Sequence, residues 1–178
     1  MPAPTEDTWK TNSIEFWERR NFPNCVSAID GKHIRIVCPS KSGSKLFNYK
    51  NYFSIVLLAT ADAGYKFKAV DVDSYGREGD SNIFIKSALG KSLYEHTINF
   101  PQDAAIPGSE RVVPFVIVGD AAFRLQKNLM KPYNKVQAKD DFQKEIFNYR
   151  LGRARRVSEN TFGLLSQIFR MFLHSNRC

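Results

Sequence analysis

Two short apolar runs, each leading to an aspartate, constrain the fold of this chain most strongly. Cys25-Val-Ser-Ala-Ile leads to Asp30, and residues 112–118 lead through Gly119 to Asp120. Both runs have the length of a strand and are rich in apolar, β-branched residues, which favours buried strands. Because α/β sheets bind ligands at strand ends, we expect both carboxylates at a functional edge of one sheet.

The rest of the chain alternates strand and helix patterns. The first strand continues beyond Gly31 towards Val37, and residues 52–60 and 65–73 form a hairpin with turn residues between them. A helix follows from Asp80 or Ser81 to Gly90. With two later helices, this order predicts an α/β fold whose mixed sheet is flanked by helices.

Two further helices are predicted near the C-terminus. The first begins after Asp140 or Asp141 and carries Phe142, Ile146 and Tyr149. The second begins at Ser158, and its predicted buried face consists of Phe162, Leu165, Ile168, Phe169 and Phe172. At the other end, residues 1–24 form a lead-in segment in which Ile14 and Trp17 share a helical face, and residues 25–178 form one domain.

Length and composition narrow the class of protein. The 178 residues are 43% hydrophobic, which suits one domain with a substantial core. No apolar run approaches the roughly 18 residues of a membrane helix, and the start lacks a signal peptide, so we expect a soluble intracellular protein without a membrane partner. Three cysteines without a C-x-x-C pair argue against a disulfide framework or zinc knuckle.

The positive charge is concentrated in the last third of the chain. Residues 1–123 hold 14 Lys and Arg against 14 Asp and Glu, whereas residues 124–178 hold 12 against 4. A basic surface that is solvated only for solubility is one explanation. Four arginines within seven residues, Arg150, Arg153, Arg155 and Arg156, favour the alternative of a phosphate-binding surface.

Glu159 is the third acid of interest, because it lies on the apolar line of the last helix, three residues before Phe162. An acid in that position needs a strong partner. Pairing with Arg155 or Arg156 is a purely structural explanation, as capping or turn formation is for Asp30 and Asp120. If the fold gathers the three carboxylates, they supply the hard oxygen ligands with which a pair of Mg²⁺ ions cuts a phosphodiester.

Five sequence blocks resemble the DDE domain of PIF/Harbinger-type transposases and of the transposase-derived nucleases of animals. They cover about residues 17–172 in the family's order. The blocks are Phe22-Pro-Asn-Cys-Val-Ser-Ala-Ile-Asp30-Gly-Lys-His33-Ile, Asn48-Tyr-Lys-Asn-Tyr-Phe-Ser-Ile, Gly79-Asp-Ser-Asn-Ile-Phe84, Val118-Gly-Asp120-Ala-Ala-Phe, and Phe147-Asn-Tyr-Arg followed by Arg153 and Ser158-Glu159-Asn-Thr-Phe-Gly163.

This resemblance implies a ribonuclease H-like fold in which Asp30, Asp120 and Glu159 form a catalytic triad that binds two Mg²⁺ or Mn²⁺ ions. One ion would activate water or a DNA 3′-hydroxyl, and the other would stabilise the leaving oxygen. DNA phosphates would contact basic side chains on both sides of the triad. These predicted DNA-binding residues are Lys32, His33, Lys45, Lys50, Arg150, Arg153, Arg155 and Arg156.

The resemblance also implies a nuclear protein, with the cytoplasm as a second location, and a separate Myb-like DNA-binding protein as partner. Self-association is left open. Family members usually carry a helical region before the lead-in and continue past the last helix, so we expect a domain truncated at both ends. A domesticated protein that binds DNA or chromatin without cutting it is the alternative function. For His33, a purely structural position on a strand face is the alternative to a phosphate contact.

Overall fold

The computed structural model describes residues 4–38, 44–75 and 78–170. Its helices are α1 Glu6–Arg20, α2 Asp80–Lys86, α3 Ala88–Tyr94, α4 Lys135–Ala138 and α5 Phe142–Ile168. Its strands are β1 Cys25–Arg35, β2 Ser54–Ala61, β3 Phe67–Tyr75, β4 Ala104–Ala105, β5 Val112–Val113, β6 Val116–Val118 and β7 Leu129–Met130. None of the described helices is both long enough and apolar enough to cross a membrane.

A five-stranded sheet in the order β3-β2-β1-β6-β7 forms the centre of the fold. The strands β1, β2 and β3 pair antiparallel, whereas β6 pairs parallel with both β1 and β7. This arrangement confirms the prediction of a mixed sheet, and the predicted hairpin is the β2–β3 pair. Parallel pairing of β1 with β6 needs a long crossover connection, which the chain supplies through the hairpin, α2 and α3.

Helices cover both faces of the sheet. On one face, Ile83 and Phe84 of α2 and Leu93 of α3 pack with Val26 and Ile29 of β1. On the other face, the α5 residues Leu151, Ala154 and Val157 pack with Ala28 of β1 and with Phe16 of α1. The sheet is therefore buried between two helical layers.

The lead-in segment contains a full helix whose buried face differs from the predicted one. Trp9 and Phe16 of α1 are buried against the sheet, whereas Ile14 is 56% exposed. Phe22, which follows the helix, is buried and packs against Phe147 of α5. The inward face is thus set by the position of α1 between the two core clusters, which the short apolar pattern did not indicate.

The two predicted C-terminal helices are one continuous helix, α5, with Asp141 as its N-cap. Ser158 does not cap a second helix, because its hydroxyl donates to the carbonyl of Arg155 within α5. Phe142, Ile146 and Tyr149 lie on a helix as predicted, and all three side chains are exposed. Further along, Phe162 is buried as predicted but Ile168 is exposed, and Phe172 lies outside the described residues.

Two predicted elements are divided in the structure. Residues 112–118 form β5 and β6 in different sheets, because Pro114 cannot donate to a strand ladder. The helix predicted from Asp80 to Gly90 breaks at Ser87, whose hydroxyl accepts from the Gly90 amide and begins α3. Both divisions leave the predicted strand end at Val118 and the predicted helix start at Asp80 in place.

Gly119 joins β6 to Asp120 at a tightly packed point. A Cβ added there would come within 2.8 Å of Phe123 and 3.1 Å of Ile29, whereas one added at Gly152 in α5 would meet nothing within 4 Å. We therefore expect Gly119→Ala to lower the free energy of unfolding by about 1–3 kcal/mol through overpacking. Gly152→Ala is the matched control, and it should raise that free energy by roughly 0.5–1 kcal/mol. Urea unfolding of the two variants measures both effects, and a stable Gly119→Ala variant would contradict the packing described.

Candidate active site

The parallel pairing of β1 with β6 brings Asp30 and Asp120 to the same level of the sheet. Ala28 is paired with Val118, and each aspartate lies two residues beyond its member of that pair. β6 ends at Val118, just before Asp120, whereas β1 continues past Asp30 to Arg35, so Asp30 lies within a strand and not at the predicted strand end. The two carboxylates are close enough that the charge of Asp120 adds to the effect of burial in raising the pKa of Asp30. The first two sequence-predicted acids therefore belong to one site.

The turn after Asp120 is held rigidly. The Ala122 amide donates to Asp120 Oδ1 at 2.8 Å, and the ammonium group of Lys131 donates to the carbonyls of Ala121 and Phe123 at 2.8 and 2.9 Å. Phe123 is fully buried and makes an edge contact with Phe84. These contacts fix the direction of the Asp120 side chain, and Lys131 is a positioning residue that the sequence motif did not reveal.

Asp30 lies in a poorly solvated place beside other acids. Burial raises the pKa of Asp30 to about 6, its hydrogen bond from the Gly31 amide lowers that pKa, and the charges of Asp80 and Asp120 raise it. Arg155 of α5 acts in the opposite direction. Because side chains alternate along a strand, Asp30 faces α5 while the Cα of Gly31 faces α2.

Asp80 is a third acid at this site, where the sequence indicated only a helix cap. It begins α2, and its carboxylate occupies the space beside Gly31, so that a Cβ added to Gly31 would overlap Asp80 Oδ1. Burial raises the pKa of Asp80, and so does the charge of Asp120. Gly31 is thus required by the close approach of Asp80, and it continues the strand rather than turning it.

Glu159 is connected to these acids through an arginine, Arg155. Its carboxylate accepts from Arg155 Nη1 at 2.8 Å, and its side chain is 42% exposed. Arg155 is the same residue whose charge lowers the pKa of Asp30, so α5 connects Glu159 to the site through an arginine. An exposed pair at this spacing contributes only about 0.3–0.5 kcal/mol, and Glu159 can exchange Arg155 for another partner at little cost.

A cleft of about 700 Å³ opens beside the acids. Its lining contains the acids Glu78, Asp80 and Asp120 together with basic and aromatic side chains. The full set is Gly31, Lys32, His33, Arg35, Tyr49, Lys50, Tyr52, Glu78, Gly79, Asp80, Asp120 and Ala122. A cleft that holds both carboxylates and cations suits a substrate whose phosphates contact the cations while its reacting bond lies at the acids.

The predicted DNA-binding residues fall into two groups. Lys32, His33 and Lys50 line the cleft, and His33 is anchored by the 2.9 Å contact between its Nδ1 and Ser54 Oγ. Burial lowers the pKa of His33, and so does the charge of Lys50, which favours a neutral ring. The second group lies outside the cleft lining. Lys45 is exposed before β2, and α5 contains Arg150, Arg153, Arg155 and Arg156.

The donor atoms of the site suit a hard divalent cation, although they do not form a closed site. Asp30, Asp80 and Asp120 offer carboxylate oxygens. Burial raises the pKa of Asp30 and of Asp80, the charge of Asp120 adds to both shifts, and a divalent ion would relieve that repulsion. Within residues 4–38, 44–75 and 78–170, however, no three Asp, Glu, His or Cys side chains converge as a metal-binding group. The donor types therefore suit a hard divalent cation, but their arrangement does not form a site for one.

The family model described as "DDE superfamily endonuclease" matches residues 29–177, which is most of the chain. The chain belongs to the DDE superfamily endonucleases. No curated protein and no solved structure matches it significantly. The match includes Asp30, Asp120 and Glu159 of this DDE-family chain, and membership of an endonuclease family indicates nuclease activity and a DNA substrate.

Four residues that line the cleft of this DDE-family chain were not predicted as site residues from the sequence. They are Arg35, Tyr49, Tyr52 and Asp80, of which Asp80 was predicted only as a helix cap. A signal was available, because Asp80 lies within the block Gly79-Asp-Ser-Asn-Ile-Phe84 and both tyrosines lie within Asn48-Tyr-Lys-Asn-Tyr. Their approach to Asp120 depends on the placement of α2 and of the segment before β2, which neither block encodes locally.

The raised pKa of Asp30 predicts a destabilising charge. Relative to its ordinary value of 3.8, a folded-state pKa of about 6 means that folding disfavours the carboxylate. The penalty is absent below about pH 4 and complete above about pH 6. In buffer without divalent ions, Asp30→Asn should therefore raise the free energy of unfolding by roughly 1–3 kcal/mol at pH 7.5, with little change at pH 3.5.

Asp141→Asn is the control of opposite sign. Hydrogen bonds from Lys144 lower the pKa of Asp141, so its charge stabilises the fold above its ordinary pKa and that stabilisation is lost as the pH falls. This variant should be less stable than the wild type at pH 7.5. Thermal unfolding over this pH range measures both variants, and a loss of stability for Asp30→Asn at pH 7.5 would contradict the raised pKa of Asp30.

Proposed function

We propose that this chain is the catalytic domain of a PIF/Harbinger-type, metal-dependent DNA endonuclease or transposase with a ribonuclease H-like fold. The observation that carries the proposal is the parallel β1–β6 pairing, which brings Asp30 and Asp120 together in a chain of the DDE endonuclease family. The cleft beside them is suited to a polyanionic substrate, since Lys32, Arg35 and Lys50 line it.

Asp30, Asp120 and Glu159 would hold two Mg²⁺ or Mn²⁺ ions, with Asp80 as a further oxygen donor. When bound, these ions supply Lewis-acid activation of the attacking oxygen and neutralise charge on the leaving oxygen. The chain's own contribution is orientation. The Ala122 amide and Lys131 hold the Asp120 turn, the Gly31 amide holds Asp30, and the cleft cations position the DNA strand.

Arg155 has a distinct part in this proposal. It neutralises Glu159 and also acts on Asp30, so in the absence of metal it compensates part of the negative charge at the site. Release of Glu159 from Arg155 costs little because the pair is partly exposed, and the freed arginine then lies beside the DNA backbone together with Arg153 and Arg156. A nuclear location, recruitment by a Myb-like DNA-binding protein and self-association of the chain also belong to the proposal.

A domesticated DNA- or chromatin-binding protein without cleavage activity is the second candidate. Two observations favour it: among the described residues no three potential ligands converge, and Glu159 is paired with Arg155. The two candidates differ in a measurable way. A binding protein would show steeply salt-dependent DNA affinity but no nicking with any divalent ion.

Asp120→Asn tests the endonuclease directly. The variant keeps the size of the side chain and an acceptor for the Ala122 amide but loses the charge, so we expect nicking of supercoiled DNA with Mg²⁺ or Mn²⁺ to be abolished. Asp103→Asn is the matched control, because Asp103 directly precedes β4 of the two-stranded sheet and is paired with Lys127. Its substitution should leave nicking unchanged. Equal nicking by Asp120→Asn and the wild type would refute the proposal.

Asp80→Asn tests the acid that the sequence motif did not include. If Asp80 supports the metal site, the variant should lose about 10- to 100-fold in Mn²⁺ affinity, measured by calorimetry, and should lose nicking activity to a similar extent. Glu159→Gln provides the comparison from the other side of the site. The N-cap of α2 is Gly79, so Asp80 does not cap the helix as predicted. A purely structural role of Asp80 predicts unchanged Mn²⁺ affinity of Asp80→Asn, and that result would remove Asp80 from the proposed site.

A further inference from the structure

Part of the basic and aromatic lining of the cleft belongs to the loop between residues 48 and 54, which several hydrogen bonds hold in place. Asn48 is buried, and its Oδ1 accepts from the amides of Lys50 and Tyr52 at 2.9 and 3.3 Å. Its Nδ2 donates to Ser54 Oγ at 2.8 Å, and its backbone amide donates to the carbonyl of Tyr52. Asn51 completes the turn in the left-handed region, with φ 63°. The loop therefore presents its tip in a defined position.

An aromatic residue and a cation lie at that tip. Tyr49 is 78% exposed, and its ring makes an edge contact with His33 at 5.6 Å between centroids. Lys50 Nζ lies 5.4 Å from the centroid of the same ring. A single exposed tyrosine needs no explanation, but here a rigid loop holds it at the edge of a cleft that contains catalytic candidates.

A second pair of the same kind lies next to the first. The Arg35 guanidinium lies 4.4 Å from the centroid of the Tyr52 ring, and Tyr52 also approaches His33 edge-on. Arg35, Tyr49, Lys50 and Tyr52 line the cleft together with Asp80 and Asp120. We call these four residues the aromatic wall. Alternating aromatic rings and cations are the combination with which proteins hold nucleic acid strands whose bases are not paired.

We propose that the aromatic wall receives an unpaired nucleotide of the DNA strand next to the phosphodiester at the acids. The cations contact the phosphates on either side of that nucleotide, and Tyr49 stacks on its base. Bases within a duplex are already stacked on their neighbours, so their faces become available only at a strand end, a bulge or an extruded position. This inference rests on the proposed function, because the acids identify which DNA bond lies beside the wall.

The test uses the full chain and two DNA probes that contain the fluorescent base 2-aminopurine, one within a blunt duplex and one in a single-stranded overhang. Binding is measured in EDTA, so no cleavage is required. Stacking on Tyr49 should quench the overhang probe and leave the duplex probe nearly unchanged. We expect Tyr49→Ala to weaken overhang binding about 5- to 100-fold, the range expected for loss of one base–aromatic stack, and to abolish the additional quenching.

Two further variants separate stacking from other roles of Tyr49. Tyr49→Phe keeps the ring and should behave like the wild type, whereas Tyr94→Ala removes a partly exposed tyrosine that lines a different cavity and should have no effect. Equal quenching and affinity for wild type and Tyr49→Ala would overturn the inference. An equal loss for overhang and duplex would also overturn it, since Tyr49 would then be a general backbone contact.

Nicking assays distinguish failure of this inference from failure of the proposed function. If the wild type nicks DNA but Tyr49→Ala binds the overhang equally well, the endonuclease stands and the aromatic wall has no base-stacking role. If Tyr49-dependent quenching occurs but no divalent ion supports nicking, the wall stands as a single-strand binding site and the endonuclease is refuted. Thermal unfolding of Tyr49→Ala should match the wild type, because the side chain is exposed.

Discussion

The parallel pairing of β1 with β6 is the constraint on which the rest of the site depends. Its register, Ala28 beside Val118, decides that Asp30 and Asp120 end at the same level. The tight packing of Gly119 against Ile29 and Phe123 fixes the joint between the two strand ends. A shift of one residue would turn one carboxylate into the core and expose its apolar neighbour, so burial of both faces enforces the register.

The acids make this part of the fold electrostatically unfavourable. Asp30, Asp80 and Asp120 are near one another, and burial combines with their mutual repulsion to raise the pKa values of Asp30 and Asp80. Such a cluster is retained for function at the expense of stability, and the substitutions that stabilise the fold are expected to be those that disable the site. Arg155 offsets part of this repulsion from the α5 side.

Two groups of cleft residues have complementary tasks in the proposed reaction. Asp80 and Asp120 supply oxygen donors, and the side chains of Arg35 and Lys50 lie beside the rings of Tyr52 and Tyr49. The weak Arg155–Glu159 pair allows the last acid to change partner, which reconciles the DDE motif with the absence of a converged ligand group among the described residues. The proposed recognition of an unpaired nucleotide follows from the same division of the cleft.

Local sequence determined the elements that depend on short-range pattern. The strands before Asp30 and Asp120, the β2–β3 hairpin and the helix start at Asp80 are visible in the chain because apolar runs and turn residues act locally. The buried face of α1 and the continuity of α5 were not, since they depend on which surfaces the assembled sheet offers. The break at Pro114 has a local cause, because proline lacks the amide that a strand ladder needs, although the apolar residues on both sides of it predicted one strand. Tertiary structure alone decided that Asp80 approaches Gly31 and that the aromatic wall lines the same cleft as Asp120. These contacts join residues from separate elements, and their energies exist only once β1, α2 and the loop before β2 have packed together.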